Sequence, residues 1–269
     1  MLGNDVVDLL DVDARPETFH RRFDLRVFTA DERRAIASDP DPHVRRWAHW
    51  AAKEAAYKLG RQHDATLVFA PGRLDVRFGS ARKIDAGAAE PVSAGRALGA
   101  AVRERRGSAL LVLPGATRAV MPLELHSFET ADSVHVVARP TGEDWSVVSL
   151  AIEPLGASGS DPSAFVRALA LREIARLLGV DGARLAIGRR GRIPTVELDG
   201  EATPLALSLS HHGRFVAMAV AVESALRSGV RAGVPEHPSR GGTGSGSVLR
   251  GVGASGRPAA LADTAWMAG

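Results

Sequence analysis

The sequence contains no cysteine, so disulfides, thiolate nucleophiles and cysteine-ligated zinc are excluded. Aromatic residues make up 5% of the chain, which counts against single-stranded nucleic acid, where bases stack on rings. No apolar run approaches the ~18 residues of a membrane span. Asp5 and Asp8 stand where a signal peptide would need its apolar core. The expectation is a soluble, cytoplasmic protein with no membrane partner. Lysine is nearly missing as well. Of 34 basic residues only Lys53, Lys58 and Lys83 are lysines, and two of them fall in one stretch, "WAHWAAKEAAYKLG", residues 47–60. Lysine differs from arginine as a compact point charge with a tunable pKa.

What is present suffices for a sizeable core. The chain has 269 residues, 45% of them hydrophobic, and is long enough for two modest domains. The net charge is +3 and the pI about 9.9, which favours anionic partners: a phosphorylated cofactor, an acidic protein or nucleic acid. Scarce aromatics and the lack of any readout motif argue against nucleic acid.

Local signals divide the chain. "LGNDVVDLL" (2–10) reads as a short buried strand. In "FTADERRAI", Thr29 and Glu32 have the spacing of a capping box. The stretch from Asp41 to Gly60 reads as a helix, with Asp41 as its cap, Pro42 in its first turn and Gly60 as its left-handed stop. "TLVFA", "LDVRF", "ALLVL" and "SVHVVA" read as strands, with a loose Gly/Ala/Arg segment over 79–108. After residue 142 a similar series follows. "SVVSLAIEPL" is a strand, and a helix runs from Asp161-Pro162 to Gly179. "TVEL", "LALSLS" and "FVAMAVAVE" are strands.

The two series align. "KEAAYKLG" (53–60) matches "REIARLLG" (172–179), placing Glu54 over Glu173. "PLELHSFETADSVHVVA" (122–138) matches "PLALSLSHHGRFVAMAV" (204–220) without a gap, placing Phe128 over Ser210. Two matches in one order, with matched caps, indicate a duplication. The expected fold class is α+β: two similar subdomains, 1–142 and 143–223, packed as a pseudo-dimer. The Gly/Ser/Pro-rich residues 224–269 are expected to form a disordered tail.

Three stretches could carry chemistry. In the 47–60 helix, Trp47, Ala51, Glu54 and Lys58 lie within about 60° of one another. Glu54 and Lys58 are either an ordinary surface i,i+4 pair or charges set against packed apolar surface, where a carboxylate needs a cation. Asp5 sits inside an apolar strand that disfavours aspartate, and alternation puts Asp5 and Asp8 on opposite faces. They are either solvated acids of a frayed strand, or Asp5 joins Glu54 as an oxygen ligand for a hard cation. "LSLSHHG" ends a strand in a polar turn, or brings Ser210, His211 and backbone N–H groups to an anion. "GRRGRIP" (188–194) adds arginines upstream that suit a phosphate or a solvated loop.

Read in order, "GNDVVDL", "FTADE", "WAAKEAAYK" and "SLSHHGRFVAMAV" resemble the 4′-phosphopantetheinyl transferase superfamily. Its members carry an Asp-bearing N-terminal strand, an F-T-x-x-E helix start, W-x-x-K-E-A-x-x-K on a helix, and S-L-S-H before an Ala/Val strand. The resemblance covers roughly residues 1–60 and 188–223. The motif order is that of the small holo-acyl-carrier-protein synthases; the length and repeat look more like the surfactin-type enzymes. The latter carry a second acid two residues after the first aspartate, where this chain has Val7, and the small synthases carry an acid at the position of Asp8.

The resemblance implies a set of roles. Asp5 and Glu54 bind Mg²⁺ together with the pyrophosphate of coenzyme A. Lys53 and Lys58 lie near the coenzyme A phosphates, and Ser210, His211 and Arg192 hold the phosphates of the nucleotide. Glu54 and Lys58 form the catalytic set, with Glu54 as base directly or through water. The acceptor is a serine of an apo acyl or peptidyl carrier protein, and 3′,5′-ADP leaves. Glu173 has no aspartate partner in its own half, so one composite site is expected. The alternative is a non-catalytic relative that binds coenzyme A or a carrier protein.

Overall fold

The computed structural model describes residues 1–18, 22–84, 102–113, 119–143, 148–155 and 161–222. The expected disordered tail lies outside these residues. Among them the chain is α+β: helices packed on antiparallel sheets. No helix of the described residues is long and apolar enough to cross a membrane.

The first half begins with β1 (Gly3–Asp8), then helices α1 (Phe23–Val27), α2 (Ala30–Ala37) and α3 (Pro42–His63). Strands β2 (Asp75–Phe78), β3 (Arg82–Ile84), β4 (Val102–Val112), β5 (Val120–Glu129) and β6 (Ser133–Pro140) follow. Their sheet runs β1–β6–β5–β4–β2, with β3 also on β4. Thr29 caps α2 through the expected capping box, its hydroxyl accepting from Glu32 N while Glu32 reaches back to Thr29 N. Asp41 caps α3, and Pro42 sits in its first turn.

The second half holds β7 (Val148–Pro154), α4 (Pro162–Leu178), β8 (Leu185–Arg190), β9 (Ile193–Leu198), β10 (Glu201–Ala202), β11 (Leu205–His212) and β12 (Phe215–Val222). Here the order is β7–β12–β11, beside a small β8–β9–β10 sheet. In both halves a leading strand pairs with the second strand of the closing hairpin. The register agrees too. Phe128 faces His135 and Ser210 faces Ala217; Asp5 faces Val136 while Ala151 faces Met218. The position of Asp5 is therefore filled by Ala151 in the second half.

The structure corrects three local expectations. Gly60 does not stop α3, which continues to His63. Its missing side chain admits Leu67 and Leu111, whose methyl groups would lie 2.5 and 2.7 Å from a Cβ there. Gly179 is the left-handed stop, at φ +67°. "TLVFA" is not a strand. It leads into a short 3-10 turn (Pro71–Arg73), and carbonyls here are turned toward Lys53. The loose segment at 79–108 contains β3 and the start of β4, with residues 85–101 outside the described part.

Strand β1 lies between two cores. Val7 packs with Trp47, Ala51, Ala55 and Leu59 of α3. On its other face Leu2 joins Phe128, Leu150 and Ala219, and Val6 joins Ile152, Phe215 and Ala217. Alternation thus sends Gly3, Asp5 and Val7 toward α3 and Leu2, Val6 toward the second half. The alanine run of α3 lets β1 come very close: a Cβ on Gly3 would lie 1.9 Å from the carbonyl oxygen of Ala55. Gly3→Ala should therefore lower stability by roughly 3 kcal/mol, read from urea unfolding. A wild-type midpoint would contradict this packing.

Candidate functional site

Strand β1 is the edge of its sheet, so the N–H groups of Asn4, Val6 and Asp8 point away from β6 and need acceptors. Side chains of β11 supply all three. Asn4 N donates to Ser208 Oγ at 2.9 Å, Val6 N to Ser210 Oγ at 3.3 Å, and Asp8 N to His212 Nδ1 at 3.2 Å. A period-2 series of polar side chains on one strand thus completes the edge of another.

The middle rung carries the charged cluster. Ser210 Oγ donates to Asp5 Oδ1 at 2.7 Å. Lys58 Nζ donates to the same Asp5 oxygen at 2.8 Å, to Ser210 Oγ at 3.1 Å and to Asn4 O at 3.1 Å. The Asp5 side chain is 11% exposed and that of Lys58 31%, so the pair sits at the rim of the core with one side open. Glu54, half-buried, precedes Lys58 by one turn of α3 on the same face. Asp5, Glu54, Lys58 and Ser210 therefore come from β1, α3 and β11, the last from the other half of the chain.

His211 follows Ser210 and points to the opposite face of β11, where it is exposed. Partial burial, then the Lys58 cation, holds its imidazole below the usual range. Two residues named with this site stand elsewhere. Lys53 is fully buried on another side of α3. It pairs with Glu32 Oε1 at 2.9 Å and donates to Pro71 O at 2.8 Å and to Leu74 O. Burial pushes its pKa down, opposed by Glu32. Adjacent helix residues diverge by 100°, so the Lys53-Glu54 dipeptide puts one charge in the core and the other at the rim. This placement engages Lys53 with Glu32 and two carbonyls and does not bring it into the Asp5 cluster. Arg192 is exposed in the turn between β8 and β9, with no hydrogen bond or ion pair to any described residue; the structure does not bring it to the Asp5 cluster.

Asp8 is also spoken for. Arg214 grips both its oxygens, at 2.7 and 2.8 Å, and Arg214 N adds a third bond at 2.9 Å. Burial raises the Asp8 pKa, but these bonds outweigh it and the net shift is downward. Gly213, at φ +51°, leaves room for this carboxylate: a Cβ there would lie 2.6 Å from Asp8 Oδ2. Asp8 thus fixes the β11–β12 turn.

Behind the cluster, Asn4 Nδ2 donates to Nε2 of the fully buried His135 at 3.1 Å. Sequence reading missed Asn4, His135, Ser208, His212 and the Lys53 partner Glu32. The alternation Ser208-x-Ser210-x-His212 was the visible signal for two of them.

Asp5 and Glu54 offer hard oxygen donors. Among the described residues no group of three or more His, Asp or Glu could hold a metal ion. Magnesium commonly takes one or two carboxylates and fills its other positions with phosphates and water. What the fold and site define is an α+β protein with an acid–lysine–serine cluster built from both halves. Residues 1–83 match the family model of the 4′-phosphopantetheinyl transferase superfamily. That segment contains Asp5, Glu32, Lys53, Glu54 and Lys58, and the match supports phosphopantetheine transfer in general, with coenzyme A as the family's usual donor and carrier proteins as acceptors. Neither the curated proteins nor the solved structures returned a match.

Burial lowers the His135 pKa to about 4, with the Lys58 cation acting in the same direction and Asp5 against it. Nε2 must stay unprotonated to accept from Asn4. A folded pKa below the unfolded value of about 6.5 contributes stability that is complete above that pH and lost as pH falls toward 4. The stability slope should be about 1.4 kcal/mol per pH unit from this one group. Urea midpoints of His135→Gln should be flatter than wild type across pH 6.5 to 4; parallel curves would contradict the assignment.

Proposed function

We propose that the protein transfers the 4′-phosphopantetheine group of coenzyme A to a serine of an apo acyl or peptidyl carrier protein. The observation that carries this reading is the convergence of Asp5, Lys58 and Ser210 within hydrogen-bond distance, from opposite ends of the chain, on the segment that matches the family. Asp5 and Glu54 would hold Mg²⁺. When bound, the ion would neutralise charge on the pyrophosphate and on the leaving group.

The chain's own groups do the rest. Lys58 places a cation at the pyrophosphate and orients Asp5 through their hydrogen bond. Ser210, saturated by Asp5, Lys58 and Val6 N, acts here as a hub that positions Asp5; His211 on the outer face is the group left to meet a nucleotide phosphate. The carrier serine oxygen attacks the β-phosphorus. A new P–O bond forms, the bond from that phosphorus to the bridging oxygen breaks, and 3′,5′-ADP leaves with the electron pair. The serine proton passes to Glu54, directly or through water. Catalysis by positioning and charge stabilisation is what phosphoryl-transfer chemistry requires.

The carrier partner would be acidic. Exposed Arg15, Arg22 and Arg26, in the segment that also exposes Leu10, Val12 and Leu25, are the groups that would meet it. Arg21, part of the same basic run, lies outside the described residues.

The second half supplies an internal control. Glu173 occupies the helix position of Glu54 but is engaged by Arg176 at 3.1 Å, and Ala151 stands where an aspartate would be needed. Glu54→Gln should lower Mg²⁺-dependent transfer by at least about a hundredfold, with folding intact by circular dichroism. Glu173→Gln should stay within about threefold of wild type. Equal effects of the two substitutions would remove the composite site.

A further inference from the structure

Arg192 was the arginine expected at the nucleotide phosphates, and it bonds to no described residue of the cluster. A different arginine stands on the site's own helix face. Glu54, Lys58 and Arg61 follow one another at i, i+4 and i+7 on α3 and are all half-buried. Trp50, one turn before Glu54, continues the stripe in the other direction.

Arg61 is braced rather than paired. Its Nη1 donates to Tyr57 Oη at 3.1 Å, and its guanidinium lies over the Tyr57 ring at 5.9 Å from the centroid. Tyr57, the chain's one tyrosine, is itself held by Phe69 at 4.9 Å, and Phe69 by Trp50 at 5.7 Å. Among the described residues no carboxylate forms an ion pair with Arg61. A hydroxyl and a ring face hold the guanidinium, and Asp64, whose carboxylate feels the Arg61 charge, makes no ion pair with it, so its planar donor fork is oriented and available for an anion.

We propose that Arg61 binds the 3′-phosphate of coenzyme A. The inference rests on the reading of the site as a coenzyme A site. Along α3 the stripe runs apolar, acid, cation, cation. Coenzyme A runs in the same order: the pantetheine arm, the metal-bound pyrophosphate, then the ribose with its 3′-phosphate. With Glu54 and Lys58 at the pyrophosphate, the next charged group of the ligand falls one helical turn further on, at Arg61. Tyr57 is then a positioning residue that fixes the fork.

The test compares coenzyme A with 3′-dephospho-coenzyme A, in transfer kinetics and in calorimetric binding, for wild type, Arg61→Gln and Tyr57→Phe. Wild type should prefer coenzyme A. Arg61→Gln should lose at least about tenfold of that preference, as expected for a lost charged hydrogen bond, mainly in KM. Tyr57→Phe should lose a smaller part of it. If wild type binds coenzyme A and Arg61→Gln discriminates as well as wild type, the inference falls while the site reading stands. A fall in affinity for both ligands alike assigns Arg61 to helix stability and overturns the inference. If wild type binds neither ligand, the site reading falls and this inference with it.

Discussion

Everything around the site depends on how an edge strand is finished. Strand β1 has backbone donors on its outer side that must be satisfied in the interior, where an orphaned N–H costs about as much as a lost hydrogen bond. Among the described residues no further strand pairs there. Ser208, Ser210 and His212 of β11 accept from the three amides instead. Side chains can do what a backbone ladder cannot: while accepting from Val6 N, Ser210 also donates to Asp5 and receives Lys58. The join between the halves and the charged cluster are thus one set of hydrogen bonds. A cluster built this way exists only when both halves are folded together.

A second constraint is the sorting of charge along α3. Its core side is mostly alanine, which brings β1 against the helix backbone and leaves little room for ions. Lys53 is accommodated because Glu32, already fixed by its capping box, turns a carboxylate oxygen inward. Glu32 also accepts from Val76 N at 2.8 Å, so one carboxylate ties α2, α3 and β2 together. Removing either member of such a pair would strand a buried charge, at a cost of about 3–5 kcal/mol. Two of the chain's three lysines therefore sit in one helix with unlike roles, the first inside the fold and the second at the site.

Much of this was legible in local pattern. Thr29 with Glu32, Asp41 with Pro42, and Asp161 with Pro162 mark helix starts, because caps are satisfied within a few residues. The repeat was legible because strand register carries over: matched residues fall on matched pairs. What local pattern does not carry is the third dimension. Gly60 and Gly179 align in sequence, yet one answers the Leu67 and Leu111 side chains and the other answers its own backbone angle. Lys53 reads like Lys58 until its partner, 21 residues upstream, is placed beside it. Arg192 and the arginines near it looked suited to a phosphate, but Arg192 is exposed in the β8–β9 turn and bonds to no described residue of the cluster. Asp5 and Ser210 were identified from residue type and order; that they share one hydrogen bond could only come from the fold.

The central claim is that this cluster moves phosphopantetheine from coenzyme A to a carrier protein. The most direct measurement is the intact mass of several apo acyl and peptidyl carrier proteins after incubation with the protein, coenzyme A and Mg²⁺. The account predicts the added mass of one phosphopantetheine on a carrier serine, absent when Mg²⁺ is chelated. Carriers that all keep their apo mass, while coenzyme A still binds, would contradict it.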